Sequence, residues 1–269
     1  MLKFAANLTL MFTEVPMLQR FAAARRAGFE YVEMQLPYAW PAMQLREMLQ
    51  ENQLQMILHN LPAGNWDAGE RGIACHPGRI DEYRAGVELG LVYAQTLGVR
   101  QLNVLAGIVP EGVTFAQAEQ CFLDNLRYTC ERMQKCGIKT LIEPINPYNV
   151  PGFLLNTTRQ ALQYLDMLQQ PNLFIEYDIY HAQRAEGDLG NILSAHIERI
   201  AHIQFADNPG RHQPGTGEIN FPYLFKLIEE LGYPGYLAAE YIPLGSTEQS
   251  LDWANAWLKP QSPLQIVAA

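Results

Sequence analysis

Eight short runs of apolar, β-branched and aromatic residues, each separated from the next by a longer and more polar stretch, constrain this chain more than any other feature. The runs are Lys3–Ala6, Tyr31–Met34, Gln55–His59, Gln101–Leu105, Thr140–Ile142, Leu173–Tyr177, Ala201–Phe205 and Tyr236–Ala239. In the stretches between them, Ile80, Tyr83, Val87, Leu91, Ala94 and Leu97, and again Phe122, Leu126, Cys130 and Met133, recur every three or four positions. That spacing marks amphipathic helices with one buried stripe. Gly28, Gly98, Gly137 and Gly232 each end a helical stretch just before a strand, where a left-handed residue stops a helix. Asn220 followed by Pro222 reads as a helix start. Spread over eight units, 269 residues give about 34 each, a comfortable length for one βα unit. The pattern predicts an α/β fold, a closed (β/α)8 TIM barrel. A doubly wound sheet would carry a Gly-rich fingerprint after its first strand, and Ala6-Asn7-Leu8-Thr9 is not one. No linker divides the chain, so residues 1–258 are expected to form one domain and 259–269 a tail.

Composition narrows the function. Hydrophobic residues make up 48% of the chain and charged residues 17%, enough to bury a large core. Lys and Arg number 19 against 28 Asp and Glu, a formal charge of -9 that argues against a phosphate-backbone grip on nucleic acid. No apolar run reaches the length of a membrane span. The opening MLKFAANLTLMFTEVP reads as a first strand, not a signal peptide. Cys75, Cys121, Cys130 and Cys136 show no CxxC spacing, which points to a reduced, cytoplasmic protein.

In a barrel of this kind, the C-terminal strand ends and the loops after them build the active site. The polar residues closing the strands are Asn7, Glu33, His59 with Asn60, Asn103, Glu143, Asp178, Gln204 and Glu240. The last four lie 35, 26 and 36 positions apart, at the same relative place in four successive units. Any one acid alone could cap a helix or pair with a surface arginine. Three carboxylates and one amide oxygen converging on one point would repel one another without a cation, and such hard oxygen donors suit Mg²⁺ or Mn²⁺. The neutral Gln oxygen leans the choice toward Mg²⁺. His181, three residues after Asp178, and His59 are candidate site residues. His202 shares a strand face with Gln204 by period 2, whereas His76, His196 and His212 read as surface. Two long Gly-rich loops, Asn60–Arg79 and Ala206–Asn220, read as lids or binding loops, and their Arg71, Arg79 and Arg211 could reach a substrate carboxylate.

Several strings carry a family resemblance over nearly the whole chain to about Trp257. They are FAANLTLMFTEVP at the start, HNLPAGNWDAGERGIACHPGR after the third strand, and LIEPIN with PGF after the fifth. EYDIYHAQRAEGDL, HIQFADNPGRHQPGTGEIN and AAEY follow at strands six, seven and eight. With these the chain resembles the hydroxypyruvate isomerase family, within the xylose-isomerase-like barrels of sugar isomerases and epimerases. The resemblance implies that Glu143 and Glu240 are an acid/base pair and that Glu143, Asp178, Gln204 and Glu240 hold a divalent metal. It departs at Asn146-Pro147-Tyr148-Asn149, where a His is expected after Asn146. The implied reaction interconverts hydroxypyruvate and 2-hydroxy-3-oxopropanoate by proton transfer through an enediolate, with Arg211, His59, His181 and then Arg71 as candidates to hold the substrate. A 2-oxo-tetronate isomerase or a ketose 3-epimerase would use the same barrel, and a sugar-acid binding protein would lack the proton-transfer pair. An endonuclease IV-like phosphodiesterase would need a richer His cluster and a basic groove. The expected partner is a short hydroxy-keto acid, with neither nucleic acid nor membrane, and a homo-oligomer is compatible with the sequence.

Overall fold

A computed structural model describes residues 2–258, so the expected tail at 259–269 lies outside the described residues. Eight parallel strands close into a barrel in chain order: β1 (Phe4–Asn7), β2 (Tyr31–Met34), β3 (Gln55–Asn60), β4 (Gln101–Val104), β5 (Lys139–Ile142), β6 (Leu173–Asp178), β7 (Ile200–Phe205) and β8 (Leu237–Ala239). Pairing of β1 with β8, Phe4 to Leu237 and Ala6 to Ala239, completes the ring. The observed ends depart from the sequence pattern by one residue, as fraying strand ends do.

Helices α1 (Met17–Arg26), α2 (Ala42–Glu51), α3 (Ile80–Leu97), α4 (Phe115–Gln134), α5 (Thr158–Leu168), α6 (Ile179–Ala185), α7 (Leu189–His196) and α8 (Phe221–Glu230) form the outer layer. The stripes read from the sequence face inward: Tyr83, Val87, Leu91, Ala94 and Leu97 on α3 are buried. Helix α3 stops at Gly98, whose φ of 75° no β-carbon opposes. Helix α4 starts well before its apolar stripe because Thr114 and Gln117 form a capping box. At α8, the Asn220 side chain accepts from the Tyr223 backbone N–H at 3.2 Å, as its sequence position suggested. After β8, the described residues form short 3-10 turns at Glu248–Ser250 and Asp252–Ala254.

Period 2 splits each strand between two cores. Phe4 faces the helices, where its ring packs edge-on against Phe205, Phe225 and Trp253 at centroid distances of 6.0, 5.2 and 5.3 Å. This cluster covers the seam between β7, β8 and β1, and truncating a buried Phe such as Phe205 costs about 3–5 kcal/mol. The smaller cluster, Ala5, Ile57, Leu58, Leu141, Ala201 and Ala238, joins residues near the strand starts.

Candidate active site

At the C-terminal end of the barrel, each strand contributes one buried polar residue at or just past its end: Asn7, Glu33, Asn60, Asn103, Glu143, Asp178, Gln204 and Glu240. Hydrogen bonds tie them together. Asn7 Nδ2 donates to Glu33 Oε1 at 2.8 Å and to Glu240 Oε1 at 3.1 Å, and Asn103 Nδ2 donates to Glu143 Oε2 at 3.0 Å. Gln35, just past β2, donates from Nε2 to Glu240 Oε1 at 2.9 Å.

Glu143, Asp178 and His181 form the group of acidic and histidine side chains whose ligand atoms all lie within 4.8 Å of one another. His181 sits in the first turn of α6 instead of the loop its sequence position suggested, because the Asp178 side chain caps that helix by accepting from Tyr180 N at 2.8 Å. Its Nε2 lies 3.6 Å from Asp178 Oδ2 and 3.8 Å from Glu143 Oε1. The tautomer follows from its other side. Asn146 Oδ1 accepts from the backbone N–H groups of Tyr148 and Asn149 at 3.1 and 3.0 Å, which turns Asn146 Nδ2 toward His181 Nδ1 at 2.6 Å. An amide N–H can only donate, so Nδ1 accepts and Nε2–H points at the carboxylates. Burial, reinforced by Arg211 and Arg184, holds the His181 pKa well below its usual value, so the ring is neutral. Sequence reading missed this orienting role of Asn146, which falls in the segment that departs from the family pattern.

A cavity of about 100 Å³ opens over these groups, lined among others by Gln35, Asn60, Glu143, Asn149, His181, Gln204 and Glu240 and capped by Trp66, Arg71 and Arg211. A larger cavity of about 240 Å³ lies at the opposite end of the barrel, between strand starts such as Gln55, Arg100 and Lys139, and no acid lines it. That end is the one barrels devote to stability. His59 is not among the residues lining the smaller cavity. It alternates with Leu58 and Asn60 along β3, so its ring faces the helix layer, 5.9 Å from the Tyr38 ring, with Nδ1 3.0 Å from Asn60 O. Burial lowers its pKa to about 4. His202 does share the inner face with Gln204, one layer deeper.

Arg211 reaches the acids from the loop after β7. Its Nη2 lies 2.5 Å from Glu240 Oε2 and 3.5 Å from Asp178 Oδ2, with its guanidinium 5.3 Å from the Tyr180 ring. The backbone there is left-handed, φ 55°, a conformation that costs a non-Gly residue about 1–3 kcal/mol and persists only where its surroundings impose it. Asp207 imposes it. Its Oδ1 accepts from Asn208 N and Ile219 N and its Oδ2 from Gly215 N and Gly217 N, at 2.9 to 3.1 Å. Gly217 is required in this loop because a β-carbon would collide with the Asn208 carbonyl. Asp207→Ala is therefore expected to cost about 2 kcal/mol, the scale of a charge-assisted hydrogen-bond set. Urea unfolding measures this loss, and hydrogen exchange across 207–219 should speed up. Unchanged exchange there would mean the loop is held by something else. Arg71, on the loop after β3, is fixed by donating from Nη1 to Trp66 O and Glu70 O at 3.1 and 2.7 Å while stacking 4.0 Å over the Trp66 ring. Arg79, by contrast, pairs with Glu70 and Glu82 away from the cavity.

Electrostatically the site is overfull of acid. Burial raises Glu143 well above the usual carboxylate range, and the charges of Glu240 and Asp178 push it further. Burial likewise raises Asp178, with Arg211 pulling the other way. Glu240 rises to about 7 by burial, again opposed by Arg211. Burial tends to lower the Arg211 pKa, but Glu240, Asp178 and Glu143 outweigh it and raise it overall. Asp178 Oδ2 and Gln204 Oε1 are buried and have no hydrogen-bond partner among the described residues. Orphaned, inward-facing oxygens beside several carboxylates are a donor set that fits a hard divalent cation.

Comparison with known proteins places this geometry. The model of the xylose isomerase-like TIM barrel family matches residues 21–260. The chain is 47% identical to hydroxypyruvate isomerase of Escherichia coli (strain K12), over 96% of this chain and 100% of that one. It is 40% identical to 2-oxo-tetronate isomerase of Haemophilus influenzae, over 93% and 97%. A crystal structure described as an AP endonuclease, family 2, from Brucella melitensis superposes with a TM-score of 0.94 at 39% identity, covering 96% of this chain and all of that one. The closed eight-stranded barrel, its buried acids and these likenesses agree: the chain belongs to the xylose isomerase-like TIM barrel family, among the isomerases of its hydroxypyruvate isomerase group.

Proposed function

We propose that this protein interconverts hydroxypyruvate and 2-hydroxy-3-oxopropanoate, with Glu143 and Glu240 as the proton-transfer pair. The observation that carries the reading is the presence, in one small cavity under two arginines, of two buried carboxyl groups whose pKa values are raised by burial, Glu240 to about 7. A group that must both take and return a proton near pH 7 works best with a pKa near that value.

The two compounds differ in the position of a carbonyl and one carbon-bound hydrogen. One carboxylate takes a proton from the hydroxymethyl carbon. The freed electron pair forms a double bond to the carbonyl carbon, whose oxygen becomes negative in the enediolate. Return of the proton to that carbon, with transfer of the terminal hydroxyl proton to the neighbouring oxyanion, gives the aldehyde and its 2-hydroxyl group. Glu143 and Glu240 stand three strands apart around the barrel, so they approach the substrate from different sides. The Nε2–H of neutral His181 is a donor for a developing oxyanion, and a neutral imidazole keeps its proton there. Arg71 and Arg211 hold the substrate carboxylate. His59 faces away and has no part in this reading.

Oxygens of Glu143, Asp178, Gln204 and Glu240 would hold a divalent metal, with Mg²⁺ first and Mn²⁺ next. A metal there would offset the surplus carboxylate charge and lower the acidity barrier by drawing charge from the substrate oxygens. Arg211, on Glu240 Oε2, meanwhile keeps that carboxylate in place.

Solvent-deuterium exchange into hydroxypyruvate, followed by proton NMR together with product formation, tests the reaction. Exchange with product supports isomerisation, exchange without it supports an epimerase, and no exchange supports a binding protein. The four-carbon 2-oxo-tetronate shares the chemistry, and comparing kcat/KM for both substrates ranks them. A nuclease reading finds less support, because a charge of -9 and a cavity of about 100 Å³ suit a small anion held by two arginines. If Arg211 clamps the carboxylate, Arg211→Lys should raise KM for hydroxypyruvate by about tenfold, since an ammonium cannot reproduce the planar fork. An unchanged KM would transfer that role to Arg71.

A further inference from the structure

Below the acids, Glu33 is a buried carboxylate with no place in the chemistry proposed so far, yet it gathers three hydrogen bonds. Its Oε1 meets Asn7 Nδ2 and Gln204 Nε2, both at 2.8 Å, and its Oε2 meets His202 Nε2 at 2.7 Å. Gln101 Nε2 lies 3.2 Å from His202 Nδ1, so the ring accepts there and carries its proton on Nε2, facing Glu33. The consequence falls on Gln204. A primary amide has two chemically different ends on one planar group, and nothing in its shape decides which end faces the metal-ligand acids. Asn7 Oδ1 accepts from the Thr9 and Leu10 backbone N–H groups, so its Nδ2 donates to Glu33 Oε1. That oxygen is an acceptor, and the Gln204 end against it must be the nitrogen. The oxygen is thereby turned the other way, where Gln204 Oε1 is buried without a partner beside the strand-paired Asp178. Reversed, the amide would present N–H groups to the acids, a hydrogen-bond donor and no ligand.

We propose that Glu33 is a positioning residue that selects the orientation of the Gln204 amide and so sets the metal affinity of the site. Backed by His202, it also holds Asn7, whose second bond fixes Glu240, so one buried carboxylate orients two of the proposed ligands from underneath. The inference rests on the reading of Gln204 Oε1 as a metal ligand.

The test uses chelator-stripped protein and calorimetric titration with Mn²⁺ alone, with thermal melting as a check on folding. Glu33→Gln and Gln204→Leu are each expected to weaken Mn²⁺ binding by about 10- to 100-fold, the usual cost of losing an orienting partner or weak ligand. The swap Glu33→Gln with Gln204→Glu keeps an N–H to oxygen bond between the two side chains in the opposite sense. It puts a carboxylate, which has no wrong end, at the ligand position, and it should restore affinity to the starting value or beyond. Tight binding by Glu33→Gln alongside weak binding by Gln204→Leu would overturn the role of Glu33 and leave the ligand reading standing. Tight binding by Gln204→Leu would overturn both. A swap that folds and stays weak would show that Glu33 acts otherwise than through the amide. If Glu33→Gln alone does not fold, the swap decides, since its recovery or loss of Mn²⁺ binding answers the same question.

Discussion

Glu143→Gln and Glu240→Gln should each lower kcat for hydroxypyruvate by at least about 100-fold while the barrel stays folded, the scale on which a positioned acid or base contributes. The substitution is nearly isosteric and removes the ability to carry a proton. It also relieves a site crowded with acid, so folding should not suffer: burial and the Glu240 and Asp178 charges work against Glu143, and an amide escapes both. Most local hydrogen bonds survive the change. In the first variant the new amide oxygen can still accept from Asn103, and in the second an oxygen at the Oε1 position can still accept from Asn7 and Gln35, with only the bond from Arg211 to Oε2 lost. Steady-state kinetics on metal-saturated protein, with deuterium exchange in parallel, gives the answer. One variant that exchanges the substrate proton without forming product would identify its residue as the group serving the second carbon. Turnover near wild type in either would remove that residue from the reaction.

In chelated, metal-free protein, stability should fall as pH rises from about 4.5 to about 8, the reverse of what most carboxylate-rich proteins do over the acid side. Glu240 has an ordinary value of 4.5 and is raised to about 7 by burial, with Arg211 opposing. Between those values the folded chain binds more protons than the unfolded one. The stabilisation is therefore complete below the unfolded value and lost as pH climbs through the folded one. That difference is worth about 3 kcal/mol at full titration. Glu143 and Asp178 are raised in the same direction, also chiefly by burial. For a domain of this size the melting temperature should drop by roughly 6–12 °C across the window. Saturating Mg²⁺ should flatten the slope, because ionised acids are then matched by charge and ligand binding itself stabilises the fold. A metal-free melting temperature that stays level or rises over this range would mean that the acids ionise without penalty in the fold.

Much of this molecule is legible in the order of its residues, for a definite reason. Strand–helix alternation, glycine stops and the Asn220 cap are local, so the chain writes them in its own order, and parallel βα units of this length close as a barrel. Period 2 also fixes which residues share the inner face, and that isolates Glu143, Asp178, Gln204 and Glu240 at successive strand ends. His59 is legible by the same rule, since it sits one residue from Asn60 and must face the opposite way. Treating the two as one strand-end pair hides that alternation.

Other features depend on groups distant in the chain. Asn146 turns the His181 ring from 35 positions away, and Glu33 turns Gln204 from 171. Arg211 reaches Glu240 and Asp178 because Asp207 folds its loop around four backbone N–H groups. Sequence alone determined the barrel and which strand ends bring acid to its mouth, because helix and strand periods are set by neighbouring residues. Only the tertiary structure decided which atom each of those side chains presents, because hydrogen-bond direction depends on what stands opposite, and that is settled when the barrel closes.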